Sequence, residues 1–278
     1  MADGSRSRAR PRVAPKEMLS VLARAARGGL ITVQRAAEAL GVGQERAAQV
    51  LTSLARRGWV SRARRGLYVV LPIESAGGPA ATVDDPWVLA QVLYEPCYIA
   101  GWSAAEHWGL TEQLFRSTFV ATGATIRERS QRVLGLEFHL VRVAAARVAG
   151  ATRVWRGRER VAVSDPAGTI ADALASPGWV GGVRPLAGML VAYRASAQWD
   201  AAALLRQLAT LASGAAYKRL GYLVEALAID APSVVEEASR KRTTGVIRLD
   251  PGNPARGRLT KRWGLWVNVH LDVSEGGA

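Results

Sequence analysis

The segment 44–57 places two kinds of side chain on opposite faces of a predicted helix. Its apolar face, which would pack on neighbouring helices, consists of Ala47, Val50, Leu51 and Leu54. Its polar face suits a major groove, because glutamine can pair with adenine, arginine with guanine, and serine or threonine with base edges or phosphates. The residues predicted to contact duplex DNA on and beside this face are Gln44, Glu45, Arg46, Gln49, Thr52, Ser53 and Arg56.

Three arginines follow this helix within a span of four residues. The stretches 59–62 and 67–70 predict two strands around a turn at 63–66. Arg62, Arg64 and Arg65 belong to the tip of that hairpin, where guanidinium groups are well placed for phosphates or a minor groove.

The elements that must position these side chains come earlier in the chain. Apolar residues at helical spacing predict a helix over 15–27, and Gly28 and Gly29 end it. A short strand at 30–32, a helix at 33–40 and a tight turn at 41–43 follow. This order predicts a winged helix-turn-helix over residues 15–72. The alternative is the same fold used only for protein contacts, with arginines that are merely solvated.

The charge of the chain is concentrated in the same region. The sequence has 37 Lys and Arg against 23 Asp and Glu, a formal net charge of +14. Residues 1–72 hold 14 basic and 4 acidic side chains, a net of +10, and residues 73–278 hold 23 and 19, a net of +4. A local excess of this kind attracts polyanions and makes binding sensitive to salt.

Composition also predicts the domain boundaries. Residues 1–14 lack the apolar core of a secretory signal and are predicted to form a disordered basic arm, with a terminus of no role as the alternative. Residues 73–84 are small, polar and glycine-rich, which predicts a linker. Residues 85–278 are predicted to form a mixed α/β domain, so the fold class is α+β with an N-terminal winged helix-turn-helix.

Local signals predict the elements of this second domain. Pro86 and Pro166 would each begin a helix, the latter capped by Asp165, and Ser103 with Glu106 has the spacing of a capping box for a helix at 104–108. The predicted strands are 97–100, 117–121, 136–141, 152–156, 159–163 and 262–271. The further predicted helices are 185–194, 199–211, 215–227 and 233–240.

Side chains that could perform catalysis are sparse. His107, His139 and His270 lie at no metal-ligand spacing with another histidine, cysteine or carboxylate, and Cys97 lies in an apolar strand pattern typical of an inert thiol. Asp165 is explained as a helix cap. We therefore predict no catalytic residue, no metal site and no cofactor. A single cysteine and the lack of a long apolar run predict a cytoplasmic protein without a membrane span.

The nine tryptophans allow two interpretations. Trp102 and Trp108 bracket a short predicted helix, and Trp263 and Trp266 alternate with smaller residues in the last predicted strand. Core packing with the indole N–H satisfied is the favoured interpretation, and partner recognition through an exposed indole is the alternative.

Several segments of the chain resemble the AbiEi family, the antitoxins of type IV toxin–antitoxin pairs. The N-terminal likeness is the winged helix followed by the residues 64–68, and the second domain is similar to the family at 98–113, 164–174 and 218–225. The chain departs from the family in its arginine-rich start, and it has Pro166-Ala167 where the family has Pro-Glu.

The resemblance implies an autorepressor that binds operator inverted repeats in double-stranded DNA. Because one winged helix covers only one half-site and a stable repressor usually engages two, we expect a dimer on that DNA. The resemblance also implies a second domain that opposes a nucleotidyltransferase-like toxin, with or without touching it. Two alternatives stay open at this point: a stand-alone winged-helix regulator with a sensing or oligomerisation domain, and a nucleic-acid processing enzyme with a winged-helix targeting domain.

Overall fold

The computed structural model describes residues 15–70 and 85–271. The chain divides into two compact units, Met1–Val92 and Leu93–Ala278. Both contain helices and strands, so the predicted mixture of α and β structure is confirmed. The predicted arm at 1–14 and the predicted linker at 73–84 lie outside the described residues.

The first unit begins with three helices and a small sheet. Its elements are α1 (Pro15–Ala25), β1 (Leu30–Thr32), α2 (Val33–Leu40), α3 (Gln44–Arg56), β2 (Val60–Arg64), β3 (Leu67–Val70) and α4 (Pro86–Tyr94), the last of which continues across the boundary between the units. The strand order is β1-β3-β2, and both pairings are antiparallel. The elements up to β3 lie within two residues of the positions that the sequence predicts.

Local chemistry explains these boundaries. The Thr32 hydroxyl caps α2 by accepting a hydrogen bond from the Arg35 N–H at 3.2 Å. Gly41 ends that helix with a φ of +62°, a conformation that glycine adopts without a steric penalty. Leu51 and Leu54 of α3 are buried in one core with Leu22 of α1, which leaves the opposite face of α3 to solvent.

The second unit contains a six-stranded mixed sheet. Its strands are β4 (Cys97–Ile99), β5 (Ser117–Thr122), β6 (Ser130–Val133), β7 (Leu136–Arg142), β8 (Thr152–Arg156) and β9 (Glu159–Val163), in the order β6-β7-β5-β4-β9-β8. The β4–β9 and β5–β7 pairs are parallel, and the other pairs are antiparallel. A separate small sheet has the order β10-β12-β11, formed by β10 (Ile247–Arg248), β11 (Arg258–Thr260) and β12 (Leu265–Val267).

Helices supply most of the core of this unit. They are α5 (Gly101–His107), α6 (Ala145–Ala149), α7 (Pro166–Ala175), α8 (Val183–Ala195), α9 (Ala201–Leu211), α10 (Gly214–Ala226) and α11 (Pro232–Lys241). Helix α7 is buried along most of its length and contacts α5, α8, α9 and α10. Its predicted cap is confirmed, because Asp165 accepts a hydrogen bond from the Gly168 N–H.

Three expectations for this unit were wrong or incomplete. Ser103 does not cap α5, which begins at Gly101; its buried hydroxyl instead accepts a hydrogen bond from the Phe119 N–H of β5 at 2.9 Å. The predicted terminal strand at 262–271 is shortened to the three residues of β12. The pattern also missed β6, α6, β10 and β11, which are short elements without strong periodicity.

Helix α10 holds the small sheet through a glycine. A Cβ on Gly221 would lie 2.0 Å from the ring of Trp263, a side chain that is 1% exposed. The Trp263 indole N–H donates to Glu225 of the same helix at 2.7 Å. Gly221 therefore admits the indole against the helix backbone at a distance that any other residue would prevent.

We expect Gly221→Ala to destabilise the protein by about 1–3 kcal/mol, because the added methyl overpacks a buried ring that has no room to move. Gly188→Ala is the matched control, since Gly188 also lies inside a helix, but apart from its own helix backbone and its chain neighbours no described atom lies within 4 Å of its added Cβ. That change should be neutral or stabilising by up to about 1 kcal/mol. Denaturant unfolding of both variants measures the difference, and equal effects would contradict this explanation.

Candidate nucleic-acid interface

Six of the seven side chains predicted on α3 are exposed. Gln44, Glu45, Arg46, Gln49, Ser53 and Arg56 all face solvent. Thr52 differs, because it is half-buried and its hydroxyl lies 3.4 Å from the hydroxyl of the buried Tyr68 in β3. Thr52 thus joins α3 to the β2–β3 hairpin, and its role in contacting DNA stays a prediction, as it does for the other six.

One hydrogen bond orders part of this exposed face. The Arg46 guanidinium donates to the Gln49 side-chain oxygen at 3.2 Å, one helical turn away. Both side chains also line a shallow groove of about 190 Å³ together with Met18 of α1 and Arg57. Arg57 is exposed and was missed by the prediction, although it follows directly after Arg56, the last contact residue predicted on α3.

The β2–β3 hairpin presents the predicted arginines. Arg62, Arg64 and Arg65 are exposed, and the register shifts between Arg62 and Arg64. The Gly66 carbonyl at the tip accepts a hydrogen bond from the Val33 N–H at 3.0 Å. The hairpin is therefore anchored at its tip to the start of α2 and at Tyr68 to α3, which brings both predicted groups of contact residues into one small unit.

The second unit contains an open cavity of about 440 Å³. It lies among β4, α6, α7 and α9. The polar side chains that line it are Tyr98, Arg147, Ser164, Asp165, Asp172, Arg206, Gln207 and Thr210. Asp165 was predicted as a helix cap and was not grouped with Asp172, because nothing local in the sequence connects these residues to Tyr98 or Arg147.

Asp172 is the most deeply buried charged group of this cavity. It is 6% exposed, accepts a hydrogen bond from the Tyr98 hydroxyl at 3.0 Å and forms an ion pair with Arg147. Burial raises the pKa of Asp172 to about 6, because the lowering by Arg147 and by the Tyr98 hydrogen bond does not offset the lost hydration. Burial also raises the pKa of Tyr98.

The three segments of the second unit that resemble the AbiEi family bond to one another. The Trp108 indole N–H donates to the Ser164 carbonyl at 2.7 Å, and Tyr98 donates to Asp172. Arg219 donates to the Leu174 carbonyl at 2.8 Å. Segments 98–113, 164–174 and 218–225 thus form one hydrogen-bonded group, and this gives their side chains a structural role.

The remaining candidate residues have structural surroundings. Cys97 is buried, and burial raises the pKa of its thiol to about 12, which keeps it protonated. His139 packs against Trp102 and Phe119, and burial lowers its pKa. Within residues 15–70 and 85–271, no group of three or more His, Cys, Asp and Glu residues could hold a metal ion. None of the described helices is long and apolar enough to cross a membrane.

Some of the tryptophans pack in the core, as the favoured interpretation predicts, and others are exposed, as recognition of a partner would require. The indole N–H groups of Trp102, Trp108 and Trp263 are satisfied, the first by the Ser117 carbonyl at 2.9 Å, and Trp263 is fully buried. Trp266 is 44% exposed and Trp155 is 68% exposed. Core packing therefore holds for the first three and does not account for the last two.

Residues 20–71 match the family described as "Transcriptional regulator, AbiEi antitoxin". The matched stretch covers most of α1, then β1, α2, α3, β2 and β3. The resemblance to this regulatory family is therefore confirmed for the first unit, and the three similar segments of the second unit lie outside the match.

A solved structure resembles the chain over most of its length. The crystal structure of the RV2827C protein from Mycobacterium tuberculosis is 21% identical in sequence, with a TM-score of 0.57 over 90% of this chain and 89% of that chain. At this sequence identity, the similarity indicates a shared fold and nothing further. No curated protein matches the chain.

The raised pKa of Asp172 gives a pH prediction for Asp172→Asn. Its ordinary pKa is about 3.9, so folding favours the protonated carboxyl. As pH rises from about 4 to about 6, the unfolding free energy of the unmodified protein should therefore fall relative to that of the variant, by up to about 3 kcal/mol. Above this range the difference between the two unfolding free energies should stay constant. Denaturant unfolding of both proteins across this range measures the difference. A difference that stays constant or grows with pH would contradict the assignment.

Proposed function

We propose that this protein is a DNA-binding transcriptional autorepressor and the antitoxin of a type IV toxin–antitoxin pair. Residues 15–72 act as a winged helix-turn-helix, with α3 in the major groove and the β2–β3 hairpin as the wing. The observation that carries the proposal is the exposed polar face of α3 beside three exposed arginines. The match of residues 20–71 to a family of regulators and antitoxins supports it.

The DNA contacts divide into two classes by chemistry. Gln49 lies near the middle of α3 and Arg46 in its first turn, and both offer the hydrogen-bonding groups that read base edges. Arg62, Arg64 and Arg65 at the hairpin tip offer charge to phosphates or to a minor groove. Gln44, Glu45, Ser53 and Arg56 complete the proposed surface, and Thr52 contributes from its position beside Tyr68.

An operator of inverted repeats fits this arrangement. One winged helix covers a single half-site, so two copies of the chain would bind half-sites about 34 Å apart or at multiples of that distance. We therefore propose a dimer on DNA, with each copy placing its own α3 in a major groove.

The second unit is proposed to oppose a nucleotidyltransferase-like toxin. Its three segments with family resemblance form one hydrogen-bonded group rather than a catalytic constellation. Residues 73–278 also carry a net charge of only +4, which provides little field for duplex DNA. This division of charge supports a separation of roles between residues 1–72 and 73–278.

A regulator with a ligand-sensing second domain is the other candidate. The observation that favours it is the cavity of about 440 Å³, where Asp165, Arg206 and Gln207 converge. A nucleotidyltransferase gene next to the gene for this chain would favour the antitoxin role, whereas release of DNA on addition of a small molecule would favour sensing.

The proposal predicts different behaviour for base-reading and phosphate-binding variants. Gln49→Ala should weaken binding to the specific upstream site by about 1–3 kcal/mol and relax the preference there, because a pair of hydrogen bonds to a base is lost. Arg64→Ala should weaken binding to all sequences and lower the salt slope by about one, because one phosphate contact is lost. Fluorescence anisotropy with upstream and scrambled duplexes, over a series of salt concentrations, measures both effects.

Gln34→Ala provides the matched control for this experiment. Gln34 is an exposed helical glutamine on α2 that bonds to Glu38 at 3.2 Å, so its loss should leave the preference for the upstream site unchanged. Equal affinity of the unmodified protein for upstream and scrambled DNA at physiological salt would overturn the proposal. Identical effects of Gln49→Ala and Arg64→Ala across the salt series would overturn the assignment of the two classes.

A further inference from the structure

The β8–β9 hairpin of the second unit exposes an aromatic ring that no fold contact accounts for. Trp155 lies in β8 and 68% of its surface is open to solvent. Burying an indole of this size contributes strongly to stability or binding, so an exposed one is a candidate contact for a partner.

The charge around this ring has one sign. The hairpin sequence 152–163 contains four arginines and one glutamate, a net charge of +3 within twelve residues. Arg153, Arg158 and Arg160 are exposed. The Arg160 guanidinium carbon lies 5.5 Å from the centre of the Trp155 ring, within the range of a cation–π contact.

The strand register places these groups on one face. Trp155 pairs with Arg160 across the hairpin, and Arg153 lies two residues from Trp155 on the same strand. Side chains alternate along a strand, so Arg153, Trp155 and Arg160 share a face. The adjacent pair Arg156 and Glu159 belongs to the other face, which leaves the tryptophan face without an acidic side chain from within the hairpin.

The turn adds a further cation at the end of the hairpin. Gly157 has a φ of +61°, which suits a tight two-residue connection between the paired Arg156 and Glu159. Arg158 is the other residue of this connection and is exposed. The face with Trp155 is thus bordered by positive charge along its strands and at its turn.

Protection of a sheet edge does not explain the whole arrangement. In the described part of the chain, β8 lies at one edge of the six-stranded sheet, and charged side chains on an edge strand discourage pairing with other molecules. An exposed tryptophan has the opposite effect, because it adds apolar surface to that edge. The combination of a flat aromatic ring with guanidinium groups instead suits a ligand that has both π faces and anions.

We propose that the β8–β9 hairpin binds an unpaired RNA strand, with one base stacked on Trp155 and phosphates contacted by Arg153, Arg158 and Arg160. Stacking needs a base that has left its duplex, and such bases are offered mainly by loops and ends of RNA. Duplex DNA hides its base faces. A lipid surface or an acidic protein would satisfy the arginines but would not use the ring as a stacking platform.

The test uses the full-length protein and a short labelled oligoribonucleotide that cannot pair with itself. The background carries Arg62→Ala, Arg64→Ala and Arg65→Ala, which removes the three exposed arginines of the β2–β3 hairpin from the measurement. Trp155→Ala should weaken binding by roughly 5- to 150-fold, the range found for loss of one stacked base, and Trp155→Phe should retain most of the affinity. Arg160→Ala should lower the salt slope by about 0.7.

Arg132→Ala is the matched control for charge. Arg132 is an exposed arginine of β6, at the other edge of the same sheet, and lies 3.9 Å from Glu137. Its loss should leave the salt slope unchanged. The proposal would be overturned if Trp155→Ala retained its affinity for RNA, or if Arg132→Ala lost as much affinity as Trp155→Ala. It would also be overturned if the protein bound single-stranded DNA of the same sequence, or anionic lipid vesicles, as tightly as RNA or more tightly.

Duplex binding separates this inference from the proposed function. In a chain with its first-unit arginines intact, Trp155→Ala should bind the upstream duplex as tightly as the unmodified protein does. A parallel loss of duplex binding would show that the hairpin belongs to the DNA surface and would overturn the assignment to RNA. All the altered side chains are exposed, so unchanged thermal unfolding is expected and confirms that each variant is folded.

Discussion

The guanidinium of Arg219 is buried in the second unit, so the acceptors of its hydrogen bonds must be protein groups. It donates to the Leu249 and Leu174 carbonyls at 2.8 Å each, and to the Ala175 and Arg248 carbonyls at 3.4 Å. Burial lowers its pKa to about 10, so it stays charged at neutral pH. A buried charge without partners is strongly destabilising. Arg219 therefore holds the end of α7 to β10, and α7 in turn carries Asp172 and the polar cavity.

The first unit follows from local signals, and most of it could be predicted. Thr32 and Gly41 mark the two ends of α2 through groups that lie within a few residues. The apolar side of α3 identifies its buried face by periodicity alone. The polar side was predicted from the same pattern, but the sequence could not show that the Thr52 hydroxyl lies beside Tyr68, because that contact depends on the path of the hairpin.

The second unit depends on contacts between distant residues, and these limited prediction. Tyr98 and Asp172 are 74 positions apart, and the hydroxyl of Ser103 serves a strand sixteen positions away rather than its own helix. A capping pattern is a local signal, so it cannot show that a neighbouring strand competes for the same hydroxyl. The sequence predicted a strand at 152–156, but not that the face with Trp155 stays uncovered.

The proposed DNA surface, formed by α3 and the β2–β3 hairpin, belongs to the first unit, whereas the segments assigned to toxin neutralisation belong to the second. DNA binding and toxin neutralisation should therefore be separable. The direct measurement follows growth and repression in the same cells. These cells express the toxin and carry a reporter for the upstream promoter. They contain the full-length protein with Arg62, Arg64 and Arg65 changed to Ala. These side chains are exposed, so the variant should fold and accumulate like the unmodified protein. We expect repression to be lost and growth rescue to be retained. Loss of rescue together with repression, at equal protein levels, would contradict the separation.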